Sequence, residues 1–218
     1  MSLSEKRNVK CPKCGKSVEM EVFHSITIKD NPEQKQALLR GMINVLHCPK
    51  CGTEAVMPTP LLYHDEDRKL MISYTYSATP AQAQEYFESI KATSKESDEL
   101  KNLDGYNLRF VPSLNALMEK IMIFDAGLSD KTIEFIKLVK LAQNHDKNNI
   151  RTFLFGKVED DHIQFMIHDS KDNQIYLSNV PMEMYREIDT ELKNSGVKPY
   201  SFDWEMVDRD YAVSLLGI

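Results

Sequence analysis

The chain has 218 residues, 42% hydrophobic and 28% charged, enough for one large or two modest domains whose cores need no disulfides. Its net charge of −6 argues against a protein whose whole surface attracts nucleic acid, and no apolar run approaches the ~18 residues of a membrane span. The first ten residues lack the apolar core of an export signal, so reduced thiols in the cytoplasm are expected.

The N-terminus is locally basic. Residues 1–16 set Lys6, Arg7, Lys10, Lys13 and Lys16 against Glu5, a net of +4. Within them lies Cys11-Pro12-Lys13-Cys14-Gly15, and the same phrase returns as Cys48-Pro49-Lys50-Cys51-Gly52. The two phrases hold all four cysteines of the chain. A C-x-x-C turn places both sulfurs on one metal because it aims backbone N–H groups at the thiolates. Proline presets the first bend, and glycine supplies the φ > 0 position that a side chain would strain. Four thiolates suit a tetrahedral ion, so zinc is the expected occupant, held by Cys11, Cys14, Cys48 and Cys51. A redox dithiol or an iron–sulfur cluster is the alternative. A Cys₄ shell leaves no open position for substrate, which predicts a structural centre.

The 33 residues between Cys14 and Cys48 must fold back on themselves. Alternation over 18–28 predicts a strand, Pro32 opens a helix over 33–40 stopped by Gly41, and 42–47 predicts the returning strand. An outward leg of ~36 Å is nearly matched by ~20 Å of strand and ~12 Å of helix, so the two knuckles can meet. Residues 53–57 then leave the second knuckle as a strand. Next, 61–63 and 70–76 form a hairpin around the charged turn 64–69. Thr79-Pro80 caps a helix with Ala83, Tyr86, Phe87 and Ile90 on one face. The polar stretch 91–104 is expected as a linker.

At this point the sequence resembles a known family. The paired CPKCG phrases, the charged helix with Gly41 before the second pair, and Leu61-Leu62-Tyr63-His64-Asp65 after it are together similar to the bacterial CpXC-domain family, over about residues 8–76. The resemblance implies a zinc-binding domain and carries metal-ligand roles to Cys11, Cys14, Cys48 and Cys51. It implies no particular activity.

Beyond 104, a strand is expected over 107–111, and two helices follow. The first carries Leu114, Leu117, Met118, Ile121 and Phe124. The second, capped by Ser129 or Asp130, has apolar residues on more than one face, so both its sides are expected to be buried. Residues 153–158, 162–168 and 174–178 predict an antiparallel meander, and Pro181 starts a helix with Met184, Tyr185, Ile188 and Leu192 inward. The tail from residue 200 is expected to dock on this second domain, with Trp204 as a core anchor.

No GxGxxG, P-loop, GxSxG or HExxH phrase occurs, so nucleotide, serine-hydrolase and hydrolytic-zinc chemistry lack their usual signatures. Of the six histidines, His24 reads as a hydrogen-bonded core residue and His47 as a neighbour of Cys48 whose ligand position is already filled. His64 with Asp65, at a strand end entering a charged turn, could hold a partner or a second ion, although Asp65 capping the turn explains it equally. His162 and His168 share a solvated sheet face, and His145 suits a helix C-terminus. The expectation is an α+β protein: a Cys₄ zinc-ribbon-like β domain over 1–90, a linker over 91–104, and helices on an antiparallel meander over 105–218. The expected function is a non-enzymatic zinc-binding interaction or regulatory module with a protein partner. The alternatives are nucleic-acid binding through Lys10, Lys13, Lys16 and Lys50, an enzyme with an interdomain site near His64 and Asp65, and a thiol redox sensor.

Overall fold

The computed structural model describes residues 2–96, 103–143, 149–201 and 203–217. Among these the fold is mixed α+β, with six α-helices and three sheets, and no helix is long and apolar enough to cross a membrane. Two compact units divide the chain within its third helix: Met1–Met118 with Phe202–Trp204, and Glu119–Ser201 with Glu205–Ile218.

In the first unit, strand β1 (Leu3–Lys10) pairs antiparallel with β2 (Ser17–Thr27), Val9 opposite Val18 and Lys10 opposite Ser17. No strand is legible in the sequence at β1. Apart from Ser4 and Val9 its residues are exposed, so this edge strand lacks the apolar alternation that marks a half-buried one. Helix α1 (Pro32–Leu39) follows as expected and ends at Gly41, whose φ is +69°. The returning strand is shorter than predicted, β3 (Val45–His47), because Asn44 takes a left-handed φ of 55°. There its side chain exchanges two hydrogen bonds with the backbone of Phe23, accepting the N–H at 2.8 Å and donating to the carbonyl at 2.9 Å. Strand β3 pairs antiparallel with β4 (Glu54–Val56) as a sheet of its own.

The predicted hairpin forms as β5 (Leu61–Asp65) and β6 (Leu70–Tyr74), packed into the sheet order β1-β2-β5-β6-β7. Strand β5 lies parallel to β2, and β7 (Asn107–Val111) lies parallel to β6. Helix α2 (Pro80–Glu96) supplies the crossover from β6 to β7 that a parallel pair requires, and it extends into the stretch expected as a linker. Ala83 is buried and Phe87 and Ile90 are half-buried, but Tyr86, expected on the same inner face, is 40% exposed. Trp204 does serve as an anchor, packed on Met71 and Leu108 in this unit rather than in the second.

The second unit takes the end of α3 (Leu114–Asp125), then α4 (Asp130–Gln143), then the meander β8 (Ile150–Glu159), β9 (His162–Asp169) and β10 (Ile175–Pro181) in the order β10-β9-β8. Helix α5 (Met182–Asn194) buries Tyr185 and Leu192. Helix α6 (Arg209–Ser214), capped by Asp208, packs on α4, as the docking of the tail anticipates. Phe165 centres the core, edge-on to Phe153 at 5.2 Å and to Phe155 at 6.4 Å between ring centroids. Both sides of α4 are buried as predicted, but one is charged: Lys131, Glu134 and Lys137 are buried beside Ile133 and Ile136. Replacing Phe165, which has no exposed surface, by Ala is expected to cost about 3–5 kcal/mol, read as a lower urea midpoint with an unchanged slope.

Candidate metal centre

Each knuckle forms the turn of a hairpin. The first joins β1 to β2 and the second joins β3 to β4, and the repeated phrase produces the same backbone hydrogen bonds twice. Cys11 N–H donates to the Lys16 carbonyl and Gly15 N–H to the Cys11 carbonyl, both at 2.9 Å. Cys48 N–H donates to the Thr53 carbonyl and Gly52 N–H to the Cys48 carbonyl, again at 2.9 Å. Gly15 and Gly52 adopt φ of +70° and +68°, which the sequence required of them. An added Cβ would meet nothing within 4 Å at Gly52, so the cost of Gly52→Ala is conformational alone. It is expected near 1 kcal/mol, seen as a roughly fivefold weaker metal affinity in a chelator competition.

The four sulfurs all lie within 4.8 Å of one another, Cys11 Sγ 3.6 Å from Cys51 Sγ and Cys14 Sγ 3.5 Å from Cys48 Sγ. Metal–sulfur bonds of ~2.3 Å in a tetrahedron put sulfurs about 3.8 Å apart, so this donor set fits one ion. Cys11 and Cys48 are buried, packed with Leu46 and against Val9, Val18 and Met20. Local hydrogen bonds divide the thiols. The hydroxyl of Thr53, 3.2 Å from Cys51 Sγ, and the Thr53 N–H favour the thiolate and pull Cys51 down to about 6. Burial raises Cys48, but the N–H groups of Lys50 and Cys51 outweigh it and hold that thiol below its ordinary value. The Lys16 N–H favours the Cys14 thiolate, yet burial and the three neighbouring sulfurs push it up to about 11. Four sulfurs this close cannot all ionise without a cation among them.

A family model described as CpXC protein matches residues 9–137, more than half of the chain. This chain belongs to the CpXC family. The match runs well past the 8–76 of the resemblance, and it takes in α2, β7 and most of α4. A search of curated proteins found no match, and a search of solved structures found none.

Around the centre of this CpXC chain, His47 Nδ1 lies 3.0 Å from Glu54 and outside the sulfur cluster. Lys10, Lys13, Lys16 and Lys50 are exposed. His64 and Asp65, adjacent on β5, point to opposite faces of the sheet and have separate partners. His64 Nε2 sits 3.2 Å from the Tyr106 hydroxyl, and burial holds its pKa below the usual value against the pull of Glu66. Buried Asp65 accepts from Lys35 and the Tyr63 hydroxyl, both at 3.2 Å, and from the Arg68 N–H at 3.3 Å, so the turn-capping reading describes it. His24 is hydrogen-bonded, Nε2 to Glu5 at 2.9 Å, but with its side chain 30% exposed beside an exposed edge strand it is not the core residue expected. His162 and His168 pair locally with the Asp160 carbonyl and with Asn173, and His145 lies outside the described residues.

Sequence reasoning missed a second cluster, in the second unit of the CpXC chain. Asp130, Lys120, Glu134, Lys137 and Glu119 alternate in sign along a chain of contacts at 3.3, 3.2, 3.1 and 3.1 Å, every member buried. Glu119 also accepts the Phe155 N–H at 2.6 Å. Burial drives the Glu119 carboxyl upward, and Lys137 draws it back. The signal available in sequence was the spacing of Asp130, Glu134 and Lys137, four and three residues apart along one face of α4.

Proposed function

We propose that the four cysteines hold a single structural zinc ion, and that the two hairpins around it form a zinc ribbon. The chain then acts as a non-enzymatic interaction or regulatory module of the cytoplasm. The observation that carries this reading is the convergence of two matching knuckles, 33 residues apart in sequence, into one sulfur cluster of tetrahedral dimensions. Thiolate donors select zinc or iron among common ions, and zinc has no redox chemistry to disturb a structural role. With the shell closed by Cys11, Cys14, Cys48 and Cys51, the ion would orient the hairpins and leave no position for substrate.

The test is metal analysis of the purified chain. One zinc per chain is expected, together with a cobalt-substituted form whose visible bands report tetrahedral thiolate coordination. A chain that takes up no stoichiometric zinc, or whose cobalt form lacks those bands, would overturn the reading. An iron content of two or four per chain with visible colour would replace it by a cluster.

A further inference from the structure

Four ammonium groups gather around the knuckles without a carboxylate to neutralise them. Lys13 and Lys50 hold the third position of their respective knuckles, so the meeting of the sulfurs brings both to the same end of the first unit. Lys10 and Lys16 flank the first knuckle, where the Lys16 carbonyl accepts the Cys11 N–H. All four are exposed, and among the described residues none makes an ion pair. Their neighbours are matched: Lys6 with Glu19 at 3.6 Å, Arg7 with Glu5 at 2.6 Å, and His47 with Glu54 at 3.0 Å. A divalent ion with four thiolates is formally −2 and Glu54 adds −1, so with histidine neutral the four lysines leave this end with a surplus of about +1 in a chain whose total is −6.

We propose that this lysine-rimmed end binds the phosphate backbone of duplex nucleic acid without reading its sequence. Protein surfaces are equally compatible with a ribbon, but unpaired ammonium groups on a short, exposed turn match spaced phosphates, which are met as point charges. Neither knuckle nor the residues beside it, 8–18 and 45–57, contains Phe, Tyr or Trp. A single strand would find no stacking platform there, which favours the regularly spaced charges of a duplex. The acidic remainder of the chain repels the same phosphates and so confines contact to this end. The inference goes beyond the metal reading and is independent of which divalent ion the sulfurs hold, since it requires only that the knuckles meet around one.

The experiment is fluorescence anisotropy of the chain, as purified with its metal, on a labelled mixed-sequence DNA duplex of about 24 base pairs. Four phosphate contacts give a log–log salt slope near −3.6, so affinity should fall roughly 100-fold between about 50 and about 200 mM salt. Substituting Lys10, Lys13, Lys16 and Lys50 together by Gln should weaken binding at least tenfold and flatten the slope. The same change at exposed Lys157, Lys171, Lys193 and Lys198 of the second unit should leave both unaltered. Any of several results overturns the proposal: no binding at about 50 mM salt, a flat slope, indifference to the four substitutions, tighter binding to the single strand, or capture by phosphatidylserine vesicles in place of the duplex. The wild-type salt slope needs no variant, so a misfolded substitution cannot hide the answer.

Discussion

With zinc bound as proposed, stripping it from the four cysteines is expected to abolish hydrogen-exchange protection in β3, β4 and both knuckles, while β5, β6, β7 and the meander keep theirs. The reason is how little else holds that end. Strands β3 and β4 have three residues each and form a sheet by themselves, and an isolated two-stranded hairpin is marginal at best in water. The apolar cluster there reduces to buried Leu46 with half-buried Val9, Val18 and Met20 once the cysteines lose their common centre. Burying one such side chain contributes about 1.5–3 kcal/mol, whereas a structural zinc contributes on the order of 10–16 kcal/mol of folding free energy. Cys48→Ser should therefore reproduce the effect of chelation, because it removes a buried ligand from the shorter hairpin. Strand β2 pairs on its far side with β5 and should survive in that part. Full protection of β3 and β4 in a metal-free sample would show that packing alone suffices.

The second large effect is expected in the other unit, on the buried ionic chain. Lys137→Ala removes the lysine that Glu119 meets at 3.1 Å and one of the two that Glu134 meets, the other being Lys120 at 3.2 Å, in a site with almost no solvent. Breaking a buried pair from one side costs about 3–5 kcal/mol, because the remaining charge has lost its water and found no replacement. The companion variant, Lys137→Met with Glu119→Gln, removes both charges and keeps an amide oxygen for the Phe155 N–H, which now donates to Glu119 at 2.6 Å. It should regain most of the lost stability, since a neutral pair of similar volume avoids the desolvation penalty. Urea denaturation of the three proteins decides the matter. Equal losses in the single and double variants would show that shape at α3 and α4, not charge compensation, sets the cost. Lys171→Ala, on an exposed turn, serves as the control and should change stability by less than ~0.5 kcal/mol.

The contrast between these two clusters separates what a sequence shows from what it conceals. Cys11, Cys14, Cys48 and Cys51 were legible because knuckle chemistry is local: proline, glycine and sulfur positions within five residues dictate the turn, and the turn dictates the donor direction. The meander, α1, α5 and the β5–β6 hairpin were legible for a similar reason, since period and turn residues are short-range signals. By itself the sequence therefore determined the two knuckles, the mixed class of the fold, and the order of most of its elements. Tertiary structure alone decided that β7 lies parallel to β6 at the edge of the first sheet, that polar β1 is a strand, and that Glu119, Lys120, Asp130, Glu134 and Lys137 are buried rather than solvated. Each of these depends on a partner distant in the chain, whether a neighbouring strand or an opposite charge. The free energy of such an encounter is not written in the residues on either side of it.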